Sequence, residues 1–278
     1  MELKITTLIE NQAGTQDNLA FEHGLSLYIE FAGKRLLFDT GQTGAFADNA
    51  RKLGLDLTAL DGVILSHGHY DHSGGLGRLL PLLAKDTPIY LGEEFFRLKY
   101  KKIPGGAFQY NGNPFPQEIF HAYPVLLQPI RSDVTWLTPQ IAILKNFAGS
   151  CPFEQPNPRF FTGDADRFHP DLFTDELALC LLTRKGLVLL SGCAHPGIIN
   201  MLRTAAGRIP APLYAVIGGT HLVDADETRI QKTIEAFREL GLRQIAVSHC
   251  TGTLGETAIQ KALPERYLSN VTGTVYCL

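Results

Sequence analysis

The sequence has no long apolar segment, no paired cysteine motif and no excess of basic residues, and each absence excludes a class of protein. No apolar run approaches the roughly 18 residues that a membrane-spanning helix needs. The 25 basic residues are outnumbered by 28 acidic ones, so no overall positive charge would attract nucleic acid or an anionic membrane. The five cysteines form no CxxC pair and leave an odd number, which argues against a disulfide framework and favours reduced thiols.

The N-terminal segment also lacks the features of a secretory signal peptide. Glu2 and Glu10 interrupt it, and no sustained apolar stretch precedes a small-residue cleavage site. We therefore predict a cytoplasmic location, with no membrane and no nucleic acid among the partners. The oligomeric state is left open.

The chain alternates β-type runs with amphipathic runs, the pattern of strands and helices that share one sheet system. Strands are predicted at segments such as "LKITTLIE", "KRLLFDTG", "LYAVIGG" and "QIAVSH", and helices include "GLGRLLPLLAK", despite Pro81, and residues near 256–263. Around residues 93–146, prolines and glycines interrupt every period, so we predict an irregular loop or lid there. We interpret residues 1–278 as a single α/β domain that carries this insertion.

Six of the nine histidines lie at or just beyond the C-terminal ends of predicted strands. These six are His67, His69, His72, His195, His221 and His249. In α/β proteins, the loops that follow strand C-termini gather at one edge of a sheet, where ligands bind. Four separate segments therefore deliver imidazole groups toward one place.

The densest group is "HGHYDH", which follows the predicted strand "GVILSH" and begins the next helix. His67 and His69 are two residues apart on extended chain, so both rings point to one side. Asp71 and His72 follow where the chain turns, and they can supply a second, adjacent set of ligands. Packing alone gives no reason to bring three imidazoles together, so we predict a metal site with two neighbouring positions.

These motifs resemble those of the metallo-β-lactamase superfamily. "HGHYDH" after an apolar strand resembles its signature, "LLFDTG" resembles the segment that precedes that signature, and "SGCAHPG" resembles its third motif. Further strings, "EHGLS", "SGCAHPGIIN", "IGGTHL" and "HCTG", are most similar to the branch of dihydropterin–ribofuranosylaminobenzene phosphate synthase-like proteins. The resemblance covers nearly the whole chain and implies an αββα sandwich of two mixed β-sheets flanked by helices.

The resemblance also implies two divalent metal ions, zinc first, with manganese or iron as alternatives. The implied ligands fall into two groups: His67, His69 and His195 for one ion, and Asp71, His72 and His249 for the other. His221 falls where many relatives have a bridging aspartate, although histidine bridges two metals poorly. Asp39 in "LLFDTG" would orient a ligand imidazole through its other ring nitrogen, and a simple turn-forming role explains it equally well.

A divalent ion with an open position lowers the pKa of bound water toward roughly 7, so hydroxide is available at cytoplasmic pH. We therefore predict a metal-dependent hydrolase in which metal-bound hydroxide attacks the substrate, with Asp71 and His221 as catalytic residues. Two divalent ions, one carboxylate and one hydroxide leave a charge of about +2, against about +1 with a bridging aspartate. Such a site favours a small phosphorylated or diphosphorylated molecule over a neutral ester or lactam.

Other groups near these motifs are candidates for the substrate pocket. In the basic run "RLKYKK", Lys101 and Lys102 could reach a second phosphate, although a solvated helical face explains the run better. His23 in "EHGLS" is a candidate for the pocket rim. Cys193 and Cys250 lie beside ligand positions, and we interpret both as small packed residues because the imidazoles already fill the site.

Three alternatives to hydrolysis stay open. A transferase could join a pterin diphosphate to an aromatic amine acceptor, with metal assisting the departure of diphosphate. The same ligands could hold iron for a redox reaction, although no appended flavin domain supports electron transfer. A metal-dependent ligand sensor would keep the same residues, although an intact ligand set argues for an enzyme.

Overall fold

Two β-sheets packed face to face occupy the centre of the computed structural model, which describes residues 2–147, 149–164 and 167–278. The strands, in chain order, are β1 (Lys4–Ile9), β2 (Ser26–Phe31), β3 (Lys34–Phe38), β4 (Gly62–Ile64), β5 (Pro88–Gly92), β6 (Lys99–Lys102), β7 (Phe108–Tyr110), β8 (Leu126–Ile130), β9 (Val134–Thr138), β10 (Ile141–Leu144), β11 (Phe160–Asp164), β12 (Arg167–Pro170), β13 (Ala178–Thr183), β14 (Gly186–Ser191), β15 (Leu213–Gly219), β16 (Gln244–Ser248) and β17 (Val275–Cys277). The α-helices are α1 (Ala45–Lys52), α2 (Tyr70–Ser73), α3 (Leu76–Leu79), α4 (Ile198–Arg208), α5 (Glu227–Glu239) and α6 (Gly252–Ala262). Among these described helices, none combines the length and apolar character that crossing a membrane would require.

Each of the two large sheets is antiparallel on one side and parallel on the other. The first sheet has the order β17-β1-β2-β3-β4-β5-β8, and the second has the order β16-β15-β14-β13-β10-β9. The parallel pairs in the first sheet are β3–β4, β4–β5 and β5–β8. Those in the second sheet are β14–β15 and β15–β16. The histidine-bearing loops follow β4, β14, β15 and β16, all strands of these parallel regions, as expected for a ligand site in an α/β protein.

Three apolar layers hold the sheets and helices together. The central layer lies between the sheets and joins residues of the first sheet, such as Ile29 and Phe38, to residues of the second, such as Leu190 and Ile217. One outer layer packs α1 and α3 on the first sheet. The other packs α4, α5 and α6 on the second sheet. The predicted αββα sandwich of two mixed sheets with flanking helices is therefore confirmed.

The segment 93–146 departs from its predicted irregularity, because it contains five strands, β6 to β10. The residues Pro104, Gly105 and Gly106 that obscured a period lie in the tight turn between β6 and β7. Gly105 and Gly106 adopt positive φ angles of 92° and 87°, which suits glycine. Strands of three to five residues are also too short to show a clear period of two.

A third sheet, which we call the cap sheet, was not predicted from the sequence. Its antiparallel order is β12-β11-β6-β7. The rings of Phe108 and Phe168 stack with centroids 3.9 Å apart, and Tyr100 packs edge-on to Phe168 at 4.9 Å. The cap sheet thus has an aromatic cluster of its own, and its strands contribute to the wall of the cavity described below.

Two helix predictions also need correction. The helix predicted across "GLGRLLPLLAK" ends as α3 at Leu79 and continues as a 3₁₀ turn over Leu80–Leu82, because Pro81 cannot donate a helical hydrogen bond. The helix predicted near 256–263 begins earlier, at Gly252.

Candidate metal centre

The loops that follow β4, β14, β15 and β16 meet at a cavity of about 860 Å³. Its lining includes five of the predicted metal ligands: His69, Asp71, His195, His221 and His249. Buried beneath them, with no exposed surface, lie His67 and His72. The six histidines that were expected to converge therefore do so.

His67, His69 and His195 form the first set of candidate ligands. His67 Nε2 lies 3.0 Å from His69 Nδ1 and 3.3 Å from His195 Nε2. Tetrahedral zinc with Zn–N distances of about 2.0–2.1 Å would place neighbouring ligand atoms roughly 3.3 Å apart. Burial lowers the pKa of all three imidazoles well below the usual range, so neutral rings with convergent lone pairs face one point. This donor set fits a divalent metal ion.

Asp71, His72 and His249 form the second set. Asp71 Oδ2 lies 3.3 Å from His249 Nε2 and 3.8 Å from His72 Nε2, and the two imidazole nitrogens are 3.1 Å apart. Although burial opposes protonation, the carboxylates of Asp39 and Asp71 raise the pKa of His72 to about 9. Positive charge is therefore favoured at this point, which also suits a metal ion.

Buried polar contacts orient the ligand rings. Asp39 Oδ2 lies 2.7 Å from His72 Nδ1 and accepts a hydrogen bond from the Ser66 hydroxyl, which in turn contacts His67 Nδ1 at 2.9 Å. Asn11 Oδ1 lies 2.9 Å from His249 Nδ1. Contacts at Nδ1 leave Nε2 of these rings free to bind metal. Asp39 thus has the contacts expected of an orienting residue.

Two consecutive acidic residues hold the loops that carry the first set. Asp175 Oδ2 accepts the backbone N–H of Gly68, between His67 and His69, at 2.8 Å. Glu176 Oε1 accepts the backbone N–H of Ala194 at 3.0 Å. Burial raises the pKa of Glu176 to about 8. No sequence motif marked these residues, because they act through backbone groups rather than through a ligand pattern.

His221 lies at the cavity beside the first set of candidate ligands. Among the described residues, none of the groups of donor atoms close enough to share a metal includes His221. Its ring packs against His195 with centroids 4.5 Å apart and against Phe160 at 5.6 Å, and it lines the cavity. The side chain of Cys193 lies beside the second set instead, with its Sγ 3.2 Å from His72 Nε2. The sequence signal for Cys193 was its place two residues before His195 at the same strand exit.

The predicted pocket residues divide into those at the cavity and those outside it. His23 lines the cavity with its side chain 52% exposed, and its Nε2 lies 3.1 Å from Asp71 Oδ2. Lys101 also lines the cavity, and its Nζ lies 5.6 Å from the centre of the Phe160 ring. Lys102 is exposed and is not part of the lining. Residues Lys99–Lys102 of the basic run form strand β6 rather than a solvated helical face, and Lys99 is buried in ion pairs with Asp171 and Asp175.

The cap sheet and the segments flanking it add wall residues that the sequence did not indicate. Tyr110 and Asn111 line the cavity, and the buried side-chain oxygen of Asn111 has no hydrogen-bond partner within the described ranges. Arg159 also lines it, in an ion pair with Asp224. An aromatic ring, an amide and a guanidinium group can therefore meet a bound molecule above the metal ligands.

Comparisons with known proteins agree with the fold. A family model described as the metallo-beta-lactamase superfamily matches residues 20–221. The chain is 33% identical to the 7,8-dihydropterin-6-methyl-4-(beta-D-ribofuranosyl)-aminobenzene-5'-phosphate synthase of Methanocaldococcus jannaschii, over 95% of this chain and 93% of the relative. This similarity confirms the resemblance to the synthase-like branch.

Solved structures show the same architecture. Tm1679, described as a metal-dependent hydrolase of the beta-lactamase superfamily, superposes with a TM-score of 0.85 at 28% identity, covering 99% of this chain and 98% of the other. A diphosphatase from the PhnP family shares the fold with a TM-score of 0.55 at 14% identity, covering 100% and 98% of the two chains. The chain therefore belongs to the metallo-β-lactamase superfamily.

Proposed function

We propose that this protein is a cytoplasmic, zinc-dependent hydrolase of small phosphorylated or diphosphorylated molecules. The observation that carries the proposal is the pair of adjacent donor sets, His67, His69 and His195 beside Asp71, His72 and His249, at one open cavity. Two divalent ions held there would activate water for attack at neutral pH and stabilise negative charge that develops on the substrate.

The cavity walls supply groups that can bind such a substrate. Lys101 and Asn111 face the cavity from the cap-sheet side, and neither is buried in an ion pair among the described residues. The ammonium group of Lys101 can meet phosphate oxygens, and the amide of Asn111 can accept and donate hydrogen bonds. His221 lies above His195, where it can contact the leaving group.

A positive centre also favours an anion. Asp71 is the carboxylate among the six donors, and carboxylates at the cavity such as Asp224 are paired with cations. The named synthase at 33% identity carries a phosphate in the printed name of its product, which supports a phosphorylated ligand. We therefore expect phosphate groups to bind near the two metal positions.

The test is a substrate screen with metal analysis. Purified protein should contain close to two transition-metal ions per chain and should hydrolyse phosphoesters or diphosphates far faster than neutral lactones or thioesters. Lys101→Ala should raise KM for diphosphates, whereas Lys102→Ala, outside the cavity on the same strand, should leave it unchanged. Faster turnover of neutral esters, or equal effects of the two lysine variants, would reject the anionic substrate.

A transferase is the second candidate, and the 33% identity to a named synthase over nearly the whole chain favours it. Such an enzyme would join a pterin diphosphate to an aromatic amine acceptor at the same metal centre. Pterin diphosphate should be supplied with and without the acceptor, and its consumption followed together with diphosphate release. Consumption that requires the acceptor identifies a transferase, and consumption without it identifies a hydrolase. Metal binding with neither reaction would instead fit a ligand sensor.

A further inference from the structure

The sulfur of Cys193 lies between the two sets of candidate ligands. Cys193 Sγ is 3.2 Å from His72 Nε2. It also lies within 4.8 Å of a ligand atom of His67, from the first set, and of His249, from the second. The side chain is only 4% exposed, yet it reaches the cavity wall. Its position is that of a group shared by both metal positions.

The neighbouring backbone holds Cys193 in this place. A Cβ atom on Gly192 would lie 2.1 Å from Ser66 Oγ, so glycine lets the end of β14 approach the ligand loop closely. Ala194 adopts a φ of 58°, and its N–H is held by Glu176. The chain therefore turns sharply at Cys193 after β14, and buried contacts fix both neighbouring residues, Gly192 and Ala194.

The other cysteine at the site has different surroundings. Cys250 Sγ accepts the backbone N–H of His221 at 3.2 Å and donates to the carbonyl oxygen of Cys193 at 3.3 Å. It also packs on Gly219, where a Cβ would lie 2.6 Å from the sulfur. The sulfur of Cys250 also lies within 4.8 Å of a ligand atom of His249, but its hydrogen bonds link two backbone segments. The sulfur of Cys193, in contrast, contacts a nitrogen of His72 and lies near residues of both sets.

We propose that Cys193, as a thiolate, bridges the two metal ions in the place that the sequence resemblance gave to His221. This inference rests on the proposed two-metal centre. A thiolate is a normal ligand of zinc and of iron, and its several lone pairs allow two ions to share one sulfur. Binding the metals would release the Cys193 proton to solvent.

A thiolate bridge changes the charge and the metal preference of the centre. Two divalent ions with one carboxylate, one thiolate and one hydroxide leave about +1 rather than the +2 expected without a bridging anion. An anionic substrate is still favoured, but less strongly. Sulfur ligation also favours zinc or iron over manganese, which prefers oxygen ligands.

Cobalt substitution tests the bridge without relying on activity. Metal-free protein reloaded with Co²⁺ should show a near-ultraviolet sulfur-to-cobalt charge-transfer band at two Co²⁺ per chain. Cys193→Ser should lose this band and bind the second ion roughly 10–100-fold more weakly, whereas Cys250→Ser should keep both. Cys193→Asp should also lose the band while still holding two ions. A band that persists in Cys193→Ser, or that disappears only in Cys250→Ser, overturns the proposal.

X-ray absorption of the zinc-loaded natural protein gives a result that does not depend on folding of a variant. A sulfur scatterer at about 2.3 Å from zinc is expected. Two bound zinc ions without sulfur scattering reject the bridge and leave the proposed hydrolase standing. Failure to bind metal at all rejects the proposed function itself.

Discussion

Asp39 links the two ligand sets through one buried carboxylate. Its Oδ1 accepts the Ser66 N–H and its Oδ2 contacts His72 Nδ1, each at 2.7 Å. Asp39→Asn should keep the backbone, because asparagine tolerates the positive φ of 61° at this position, but it removes the charge that supports His72. We expect roughly 10–100-fold weaker binding of the second metal, measured by competition with a chelator.

The control for this variant is Asp61→Asn. Asp61 pairs with Lys34 on a partly exposed surface, where ion pairs contribute little. Equal metal affinities of Asp39→Asn and the natural protein would show that Asp39 serves the turn alone.

Replacement of His221 distinguishes a role as a metal ligand from a role in contacting the substrate. The resemblance placed His221 where many relatives have a bridging ligand, and in that role its loss would reduce occupancy of the second metal position. Because its ring packs on His195 outside both donor sets of the described residues, we now expect His221→Asn to retain two metal ions and to lose turnover by roughly 10²–10³-fold. Asparagine is the suitable replacement, since His221 has a φ of 49°. Loss of one metal on elemental analysis would restore the ligand assignment.

At the scale of elements, one buried lysine ties the cap sheet to the metal loop. Lys99 of β6 is 2% exposed and donates to Asp171 at 2.8 Å and to Asp175 at 2.9 Å, and Asp175 holds the backbone of Gly68. The two carboxylates raise the pKa of Lys99 despite its burial. The cap sheet and the first metal position therefore share one set of buried ions.

Lys99→Met would leave two buried carboxylates without a cation and should therefore destabilise the folded protein. We expect a loss of about 3–5 kcal/mol in the free energy of unfolding, measured by urea denaturation, together with weaker metal binding through Asp175. Lys102→Met, on the same strand but exposed, should change neither quantity by more than about 0.5 kcal/mol. A stable Lys99→Met protein with unchanged metal affinity would show that the cap sheet is anchored elsewhere.

The elements that the sequence predicted well are those with strong patterns. Strands such as β14 and β15 are nearly uniformly apolar because they are buried on both faces, and they read clearly as strands. The strands of the cap sheet could not be predicted in this way, since β6 and β7 span only four and three residues and pack largely through their own aromatic side chains. The cap-sheet side of the cavity, with Tyr110 and Asn111, was missed for the same reason.

At the scale of the whole molecule, the sequence predicted which segments of the chain meet at the site, because the order of strands and loops determines this. The six histidines could be placed at one site because strand exits converge in this architecture, and the structure brings together exits from both sheets. The sequence could not show that Cys193 rather than His221 lies beside His72, because both residues follow adjacent parallel strands, β14 and β15, at similar distances along the chain. Only the folded geometry shows that the sulfur of Cys193 lies near His67 of one set and near His72 and His249 of the other.

Removal of metal should destabilise the whole molecule, because the proposed ligands come from three loops, which follow β4 of the first sheet and β14 and β16 of the second. Ions that bind only the folded state stabilise it by about 2.7 kcal/mol per site at a concentration of 100 Kd. Chelation should therefore lower Tm by roughly 5–10 °C in scanning calorimetry. Zn²⁺ should restore Tm, whereas Mg²⁺ should not, because imidazole-rich sites suit zinc and Mg²⁺ prefers oxygen ligands. An unchanged Tm in protein shown to be metal-free would mean that the buried imidazoles are held by the scaffold alone.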